Sequence, residues 1–369
     1  MCEHGCRRSI EGSPTLPVPG NGSVGRPGRA HRVAGGDPYG TVTIAFIAER
    51  AGVSVPTVSK VINGRSGVGA QTRARIETLI NEFGYRRPES VGRADIMELV
   101  MSDLESMWGL EIIRGVERAA REHHIGVVLS DFDQRPAETR GWVEDVLARK
   151  PTCVVSVAQL SQAQRDQLTA RNIPFVVFDL AADLPDDAPY VGTTNWLGGR
   201  SATLHLTELG HRRIAMISGP DHVLCCRARL DGHRSALDSA GIPIDSNLIM
   251  RVDLSYEQGY AAARDLLRPR SRPTAIFTAN DVMALGVYQA AREEGLRVPE
   301  DLSVVGFDDI PVVSWVDPPL TTVHQPLMDM AAAATELALA LGRKERPART
   351  RIELATTLTV RQSTGPAPR

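Results

Sequence analysis

A chain of 369 residues, 42% hydrophobic and 23% charged, is too long for one small domain and apolar enough to fill the cores of two or three. No apolar run reaches the roughly 18 residues of a membrane span, and no apolar signal core opens the chain, so a cytoplasmic protein without a membrane partner is expected. Five cysteines (Cys2, Cys6, Cys153, Cys225, Cys226) make no disulfide framework; Cys2, His4 and Cys6 lack a second pair at finger spacing, so no metal is expected.

The net charge of −2 is unevenly spread: residues 1–95 carry thirteen Lys and Arg against eight Asp and Glu, which is +5 and leaves −7 for the rest. A basic head on an acidic body suits nucleic-acid binding by the head. Residues 1–40, rich in Gly, Pro and Arg without a hydrophobic period, read as a disordered extension. From residue 41 the pattern turns helical. Thr43 can cap a helix carrying Ile44, Ile47, Ala48 and Ala51 on one face, and Gly52 breaks it. Ser54 is expected to cap a second helix with Pro56 in its first turn, ended by Asn63-Gly64. A third helix from about Ala70 places Ile76, Leu79, Ile80 and Phe83 inward and stops at Gly84. Two short helices joined through Ala51–Ser54 and braced by a third make a helix-turn-helix layout. Burial of Val53 and Val58 leaves Val55, Pro56, Thr57, Ser59 and Lys60 on the other face, small or hydrogen-bonding groups and a cation suited to a major groove. By spacing alone, a plain three-helix bundle fits as well.

From Ile96 short apolar runs alternate with helical stretches. Strands are predicted at 96–101, 125–129, 152–157, 174–178, 213–217, 274–278 and 302–307. Helices are predicted at 110–121, 138–149, 196–209, 228–240, 256–267, 282–294 and 326–342. This alternation means parallel sheets covered on both faces, enough for two α/β lobes.

The stretch Thr43–Gly64, with its AGVS…TVSKVING run, strongly resembles the DNA-binding head of the lactose repressor/galactose repressor (LacI/GalR) family. Thr194-Asn195 with Gly198, Leu209–Ala215, Gly219-Pro220, Arg229–Gly232, Thr278–Asp281, Val304–Asp309 and Pro319–Val323 continue the resemblance in order, so that it covers residues 41–363. It implies an all-α helix-turn-helix head plus an α/β body like periplasmic sugar-binding proteins, with two doubly wound lobes, three chain crossings and a ligand cleft between them. The head and a short linker would span 41–95 and the body 96–363. The first lobe would hold about 95–191 and 325–350, the second about 192–323 and 351–362. Thr43, Val55, Pro56, Thr57, Ser59, Lys60 and Asn63 become the DNA-binding candidates.

A sugar site needs groups that fix hydroxyls and an aromatic plate. Asp179 follows the run Phe175–Phe178, Asp308 follows Val304–Phe307 and Asn280 follows Ile276–Ala279, each at the strand end where open α/β sheets bind ligands. Arg229 can fork to two hydroxyls, and Trp108, placed in the loop after the first strand, can stack on a ring or pack between lobes. Leu254 and Gln325 complete the effector candidates; the Asp and Asn side chains can also serve as helix caps. The linker, Tyr85–Asp95, departs from the family: it holds Pro88 and Gly92 and no leucine to wedge into a base step, leaving Val91 as the apolar candidate and Arg86, Arg87 and Arg93 for phosphates. No nucleophile elbow or phosphate-cradling loop is found, so no catalysis and no cofactor beyond the effector are expected. The expected partners are operator DNA, a small effector and a second copy in a homodimer, with association of two dimers into a tetramer left open. The sugar-controlled repressor has alternatives in a nucleoside or purine effector and in corepression.

Overall fold

The computed structural model describes residues 42–85, 95–102, 104–132, 138–179, 184–185, 187–268 and 271–368. The readings made of residues 1–40 and of linker residues Arg86, Arg87, Pro88, Val91, Gly92 and Arg93 lie outside these. The chain divides into two compact units, 1–90 and 91–369.

In the first unit α1 (Ile44–Ala51), α2 (Val55–Ile62) and α3 (Ala70–Glu82) form a three-helix bundle. The Thr43 hydroxyl caps α1 by accepting the Phe46 N–H at 3.2 Å. Gly52 takes φ +66, which spares the turn the strain a side chain would bring, and Val53 N–H returns to Ala48 O at 3.0 Å. The cap expected of Ser54 is not formed; its hydroxyl pairs with that of Thr57 at 2.9 Å instead. Ile47, Val58 and Ile76, one from each helix, are wholly buried at the centre, with Ala48, Ala51 and Val61 around them.

The second unit runs β1 (Ile96–Met101), α4 (Met107–Glu122), β2 (Gly126–Asp131), α5 (Glu138–Arg149), β3 (Val154–Ser156), α6 (Gln162–Ala170), β4 (Phe175–Phe178) and β5 (Tyr190–Thr193). It continues with α7 (Asn195–Glu208), β6 (Ile214–Ser218), α8 (Leu224–Ser239), β7 (Ile249–Arg251), α9 (Tyr256–Leu267), β8 (Ala275–Thr278), α10 (Asp281–Glu293) and β9 (Ser303–Asp308). It ends with β10 (Thr321–His324), α11 (Leu327–Gly342), β11 (Arg351–Leu354) and β12 (Thr357–Thr359). Two sheets result, ordered β11-β5-β4-β3-β1-β2 and β12-β10-β9-β8-β6-β7, parallel throughout except where β12 pairs antiparallel with β10. Each sheet has an apolar cluster on either face: α4 and α11 against α5 and α6 around the first, α9 and α10 against α7 and α8 around the second. Strands covered on both faces must be apolar on both, which is why their runs are near-continuous.

The chain crosses between lobes at 194, at 325–326 and at 355–356. The third crossing corrects the lobe boundary expected from the resemblance. Residues 351–354 belong to the first lobe, because Ile352 and Leu354 pack on its core and β11 pairs in register with β5. The tail past 363 is also part of the second lobe: Ser363 is wholly buried, its carbonyl accepts from Val304 N–H at 2.9 Å, and Ala367 N–H reaches Leu209 O at 2.9 Å.

Helices α7 and α8 lie in backbone contact. A Cβ on Gly199 would come 2.1 Å from Arg229 O, and one on Gly232 would come 2.1 Å from Trp196 O. Only hydrogen fits at these two positions, so the N-terminal turns of both helices are held side by side. Between them Thr203 donates to Gly199 O at 3.0 Å and therefore accepts from His233 Nδ1–H at 2.8 Å. Burial holds His233 neutral, its pKa lowered to about 3. An unfolded chain would carry that proton up to about pH 6.5. The unfolded state thus binds the extra proton between about pH 3 and 6.5, and this histidine costs stability as pH falls through that window, by at most about 1.4 kcal/mol per pH unit. Asp308, raised by burial to about 7, has the opposite slope. Comparison of the wild type with His233→Leu isolates the histidine: between pH 7 and 5 the wild type is expected to lose more unfolding free energy than the variant. Parallel losses would contradict the assignment.

Candidate functional site

The second helix of the head carries the expected reading face. Val55, Pro56 and Lys60 are exposed, Thr57 and Ser59 half-buried, while Val58 and Val61 on the opposite side enter the core. Asn63, exposed at the helix end, donates its amide to Ser59 O at 2.7 Å and to Ser59 Oγ at 3.2 Å. The hydroxyl of Thr43 is engaged in its cap and that of Thr57 in the pair with Ser54, which leaves both side chains oriented by the fold.

In the body the strand ends converge on the crossings. β4 leads into Asp179 and β9 into Asp308, with φ +44 and +119. Such angles are costly away from glycine, on the order of 1–3 kcal/mol, and where they occur they turn a side chain sharply off its strand. Asp308 is buried. Its Oδ1 accepts from Gln325 Nε2 at 2.6 Å and lies 3.8 Å from Arg229 Nη1. Burial pushes its carboxyl up to about 7, against the opposing pull of the Arg229 cation and the Gln325 hydrogen bond. Arg229, 3% exposed, donates Nε to Asn195 Oδ1 at 2.8 Å and Nη1 to Ala279 O at 2.6 Å, and its guanidinium lies 3.7 Å above the centre of the Phe307 ring. Asp179 contributes its field to the same group, acting on Arg229 and Asp308.

Gln325 extends the network across the crossings. Its Oε1 accepts from Thr193 Oγ1 at 3.0 Å and its backbone N–H meets Asp308 O at 3.2 Å. Thr194 and Thr356 pair beside it, hydroxyl to hydroxyl at 3.1 Å. A continuous path therefore runs Thr193–Gln325–Asp308–Arg229–Asn195, from a first-lobe strand to two second-lobe helices.

The other predicted residues fall around this path. Asn280 caps α10 by accepting Met283 N–H at 2.9 Å and donates to Leu254 O at 3.2 Å, so these two form a separate pair on the second lobe. Leu254 is 37% exposed. Trp108 does not lie in the loop after β1, as expected, but in the first turn of α4, which Ser106 caps early through Gly109 N–H at 3.0 Å. Its indole is half-buried against the cores of both lobes and edge-on to Phe178, ring centres 6.3 Å apart. It is a plate held between the lobes. Residues not picked out from sequence are Asn195, Phe307, Thr193 and the Cys225-Cys226 pair. Asn195 sat inside a matched motif, the only available signal; the stacking of Phe307 under Arg229 depends on tertiary placement that no spacing reveals.

A cavity of about 300 Å³ opens beside Asn195, lined by Tyr190, Thr193, Trp196, Cys225 and Glu353. Another of about 260 Å³ lies against Asp308, bordered by Glu111, Asp309, His324 and Asp329. The arrangement offers a buried cation, carboxylates and amides at strand C-termini, with aromatic faces nearby, between two lobes joined by three strands. Among the described residues no helix is long and apolar enough to cross a membrane.

Comparison with known proteins agrees with both units. Residues 43–88 match bacterial regulatory proteins of the lacI family, and residues 203–364 match the periplasmic binding protein-like domain. The HTH-type transcriptional regulator DegA of Bacillus subtilis (strain 168) is 33% identical over 334 residues, 88% of this chain and 98% of the relative. The transcriptional regulator CelR in complex with cellobiose is similar with a TM-score of 0.69 and 33% identity, over 87% of this chain and 99% of that one. The lac repressor dimer bound to operator and the anti-inducer ONPF has a TM-score of 0.69 and 29% identity, over 88% of this chain and 100% of that one. With a helix-turn-helix head, a two-lobed body and a relative matched over nearly its whole length, the chain belongs to the LacI family of DNA-binding transcriptional regulators.

Proposed function

We propose that this regulator is a cytoplasmic repressor, without catalytic activity or cofactor, that binds its operator as a homodimer and is released by a sugar bound between the lobes. The single observation that carries the reading is the path through Gln325, Asp308 and Arg229, which joins the groups suited to a sugar's hydroxyls to the strands on which the lobes turn. A hydroxyl entering between Arg229 and Asp308 competes with contacts that set the spacing of the crossings, so occupancy and lobe arrangement are coupled there. The cellobiose complex of a relative supports a hydroxyl-rich ligand. The acidic groups Asp179 and Asp308, gathered with Gln325 around Arg229, favour hydroxyls over a purine.

The head acts through Lys60 and its neighbours on α2. Lys60→Ala is expected to lower operator affinity about tenfold and to reduce the slope of log affinity against log salt by about one. The same variant is expected to leave the melting shift produced by sugars unchanged. Fluorescence anisotropy with promoter DNA over a salt series measures the first, and a thermal-shift screen of sugars and nucleosides the second. Unaltered operator affinity would remove α2 from the groove; a shift with nucleosides alone would replace the sugar.

A further inference from the structure

Trp196 and Leu197, in the first turn of α7, are 41% and 51% exposed, and nothing above uses their side chains. Single apolar residues on a surface are ordinary, but these two share one place. With Leu224, Cys225 and Ala228 from the start of α8 they line the cavity of about 300 Å³ beside Asn195. Gly199 and Gly232 hold the two helix starts in backbone contact, so this wall is fixed within the second lobe. Tyr190 of β5 and Glu353 of β11 supply the facing wall from the first lobe. The threonine and asparagine side chains of the lining are already engaged. Thr193 Oγ1 donates to Gln325 Oε1 at 3.0 Å, and Thr194 Oγ1 meets Thr356 Oγ1 at 3.1 Å and accepts Thr356 N–H at 3.0 Å. Asn195 Nδ2 donates to Thr193 O at 3.3 Å, while its Oδ1 accepts from Arg229 Nε at 2.8 Å. What remains to meet a ligand is chiefly apolar, the Trp196 indole with Leu197 and Leu224, and the Glu353 carboxylate stands against an anion.

We propose that this cavity is an aglycone subsite: it takes an uncharged aromatic ring carried by the sugar, so that the effector is an aryl glycoside. The inference rests on the sugar reading of Arg229 and Asp308 given above. Asn195 joins the two places, because its side chain holds Arg229 and the residue borders the cavity. A second sugar ring is the rival occupant. It suits the cavity less, since its hydroxyls would leave water for threonines and an asparagine that are already paired. An aromatic ring asks for no hydrogen bonds and covers the exposed indole and leucine by face or edge. Because the walls come from both lobes, a ring seated there touches both and adds to the preference for one lobe arrangement.

Phenol, which needs no sugar site, probes the cavity in the full-length protein labelled with fluorotryptophan. The chain has four tryptophans, and Trp315, 73% exposed, is the internal control for unspecific stacking. Millimolar phenol is expected to move the Trp196 fluorine resonance, identified by its loss in Trp196→Phe, and to leave that of Trp315 in place. Leu197→Gln, a change at an exposed position, is expected to weaken that response. A still Trp196 resonance, or a Trp315 resonance that moves as far, would overturn the subsite. Phenyl glycosides are then compared by melting shift with the methyl glycosides of the same hexoses and pentoses and with cellobiose. The phenyl member of a responding pair is expected to bind about tenfold tighter, a gain that vanishes in Leu197→Gln. A methyl glycoside or cellobiose that binds as tightly would overturn the aryl assignment. If phenol moves Trp196 and no glycoside of any kind responds, the sugar reading falls; if methyl glycosides respond and phenol does not, the subsite alone falls.

Discussion

Arg229→Ala is expected to abolish release by effector while operator binding persists, with effector affinity lowered about 100-fold or more. That follows from the cost of about 2–5 kcal/mol when one partner of a buried, hydrogen-bonded charge pair is removed. The guanidinium is almost wholly enclosed by Asn195, the Ala279 carbonyl, Asp308 and the Phe307 ring. Its loss leaves the Asp308 carboxyl buried with Gln325 as its hydrogen-bonding neighbour. The same change should destabilise the body by about 3–5 kcal/mol, because an uncompensated buried charge remains. Burial already raises Asp308 to about 7, and without the cation it is expected to rise further, so the variant should recover part of its stability when the pH is lowered from 8 to 6. Calorimetric titration and denaturant unfolding measure both effects. A variant that still responds fully would take Arg229 out of the cleft chemistry.

Ile47→Ala is expected to be more drastic for DNA. Ile47 is wholly buried where the three head helices meet. Cutting it to alanine costs about 2–5 kcal/mol. A bundle of some 45 residues has only about 2–7 kcal/mol to lose. The head should therefore be largely unfolded at 37 °C, with operator affinity down at least about 100-fold, while the second unit keeps its melting temperature. Two-step melting in the wild type and loss of its head-specific step in the variant would show this. Intact operator binding would mean that Ile47 does not organise the reading helix.

Much of this was legible in the residues themselves. The head's three helices follow from Gly52, Pro56 and Gly84 as punctuation and from the spacing of Ile47, Val58 and Ile76. Strands β1, β4, β6, β8 and β9 announced themselves because both faces are buried, which makes them near-continuous apolar runs. Of the edge strands β2 is predicted and β7, β11 and β12 are not; the interior β5 and β10 are missed too, because Tyr-Val-Gly-Thr and Thr-Thr-Val-His mix polar residues into buried strands. In β11, Arg351 and Glu353 face solvent, and β12 is the short Thr-Leu-Thr; neither shows a run, and the first was placed in the wrong lobe. α6 was missed because Gln162–Ala170 is mostly polar and buries Leu168 alone; its sign was the Ser161/Gln164 capping box.

The site was half visible. Strand ends and a family pattern pick out Asp179, Arg229 and Asp308, which do converge. What they lean on was invisible: the guanidinium over Phe307 and the bridge through Gln325 depend on contacts between residues far apart in sequence. So does the glycine pair, Gly199 and Gly232, that lets α7 bring Asn195 to Arg229. A glycine in a helix signals a close approach only once its neighbour is known.

If an effector loosens the grip on DNA by some factor, DNA must loosen the grip on that effector by the same factor. The decisive measurement is the affinity of the purified full-length protein for a duplex bearing its own promoter, at low salt, with and without the sugar that most raises its melting point. The account predicts tight, salt-dependent binding that weakens when the sugar is added. A protein indifferent to that duplex, whatever sugar accompanies it, would contradict it.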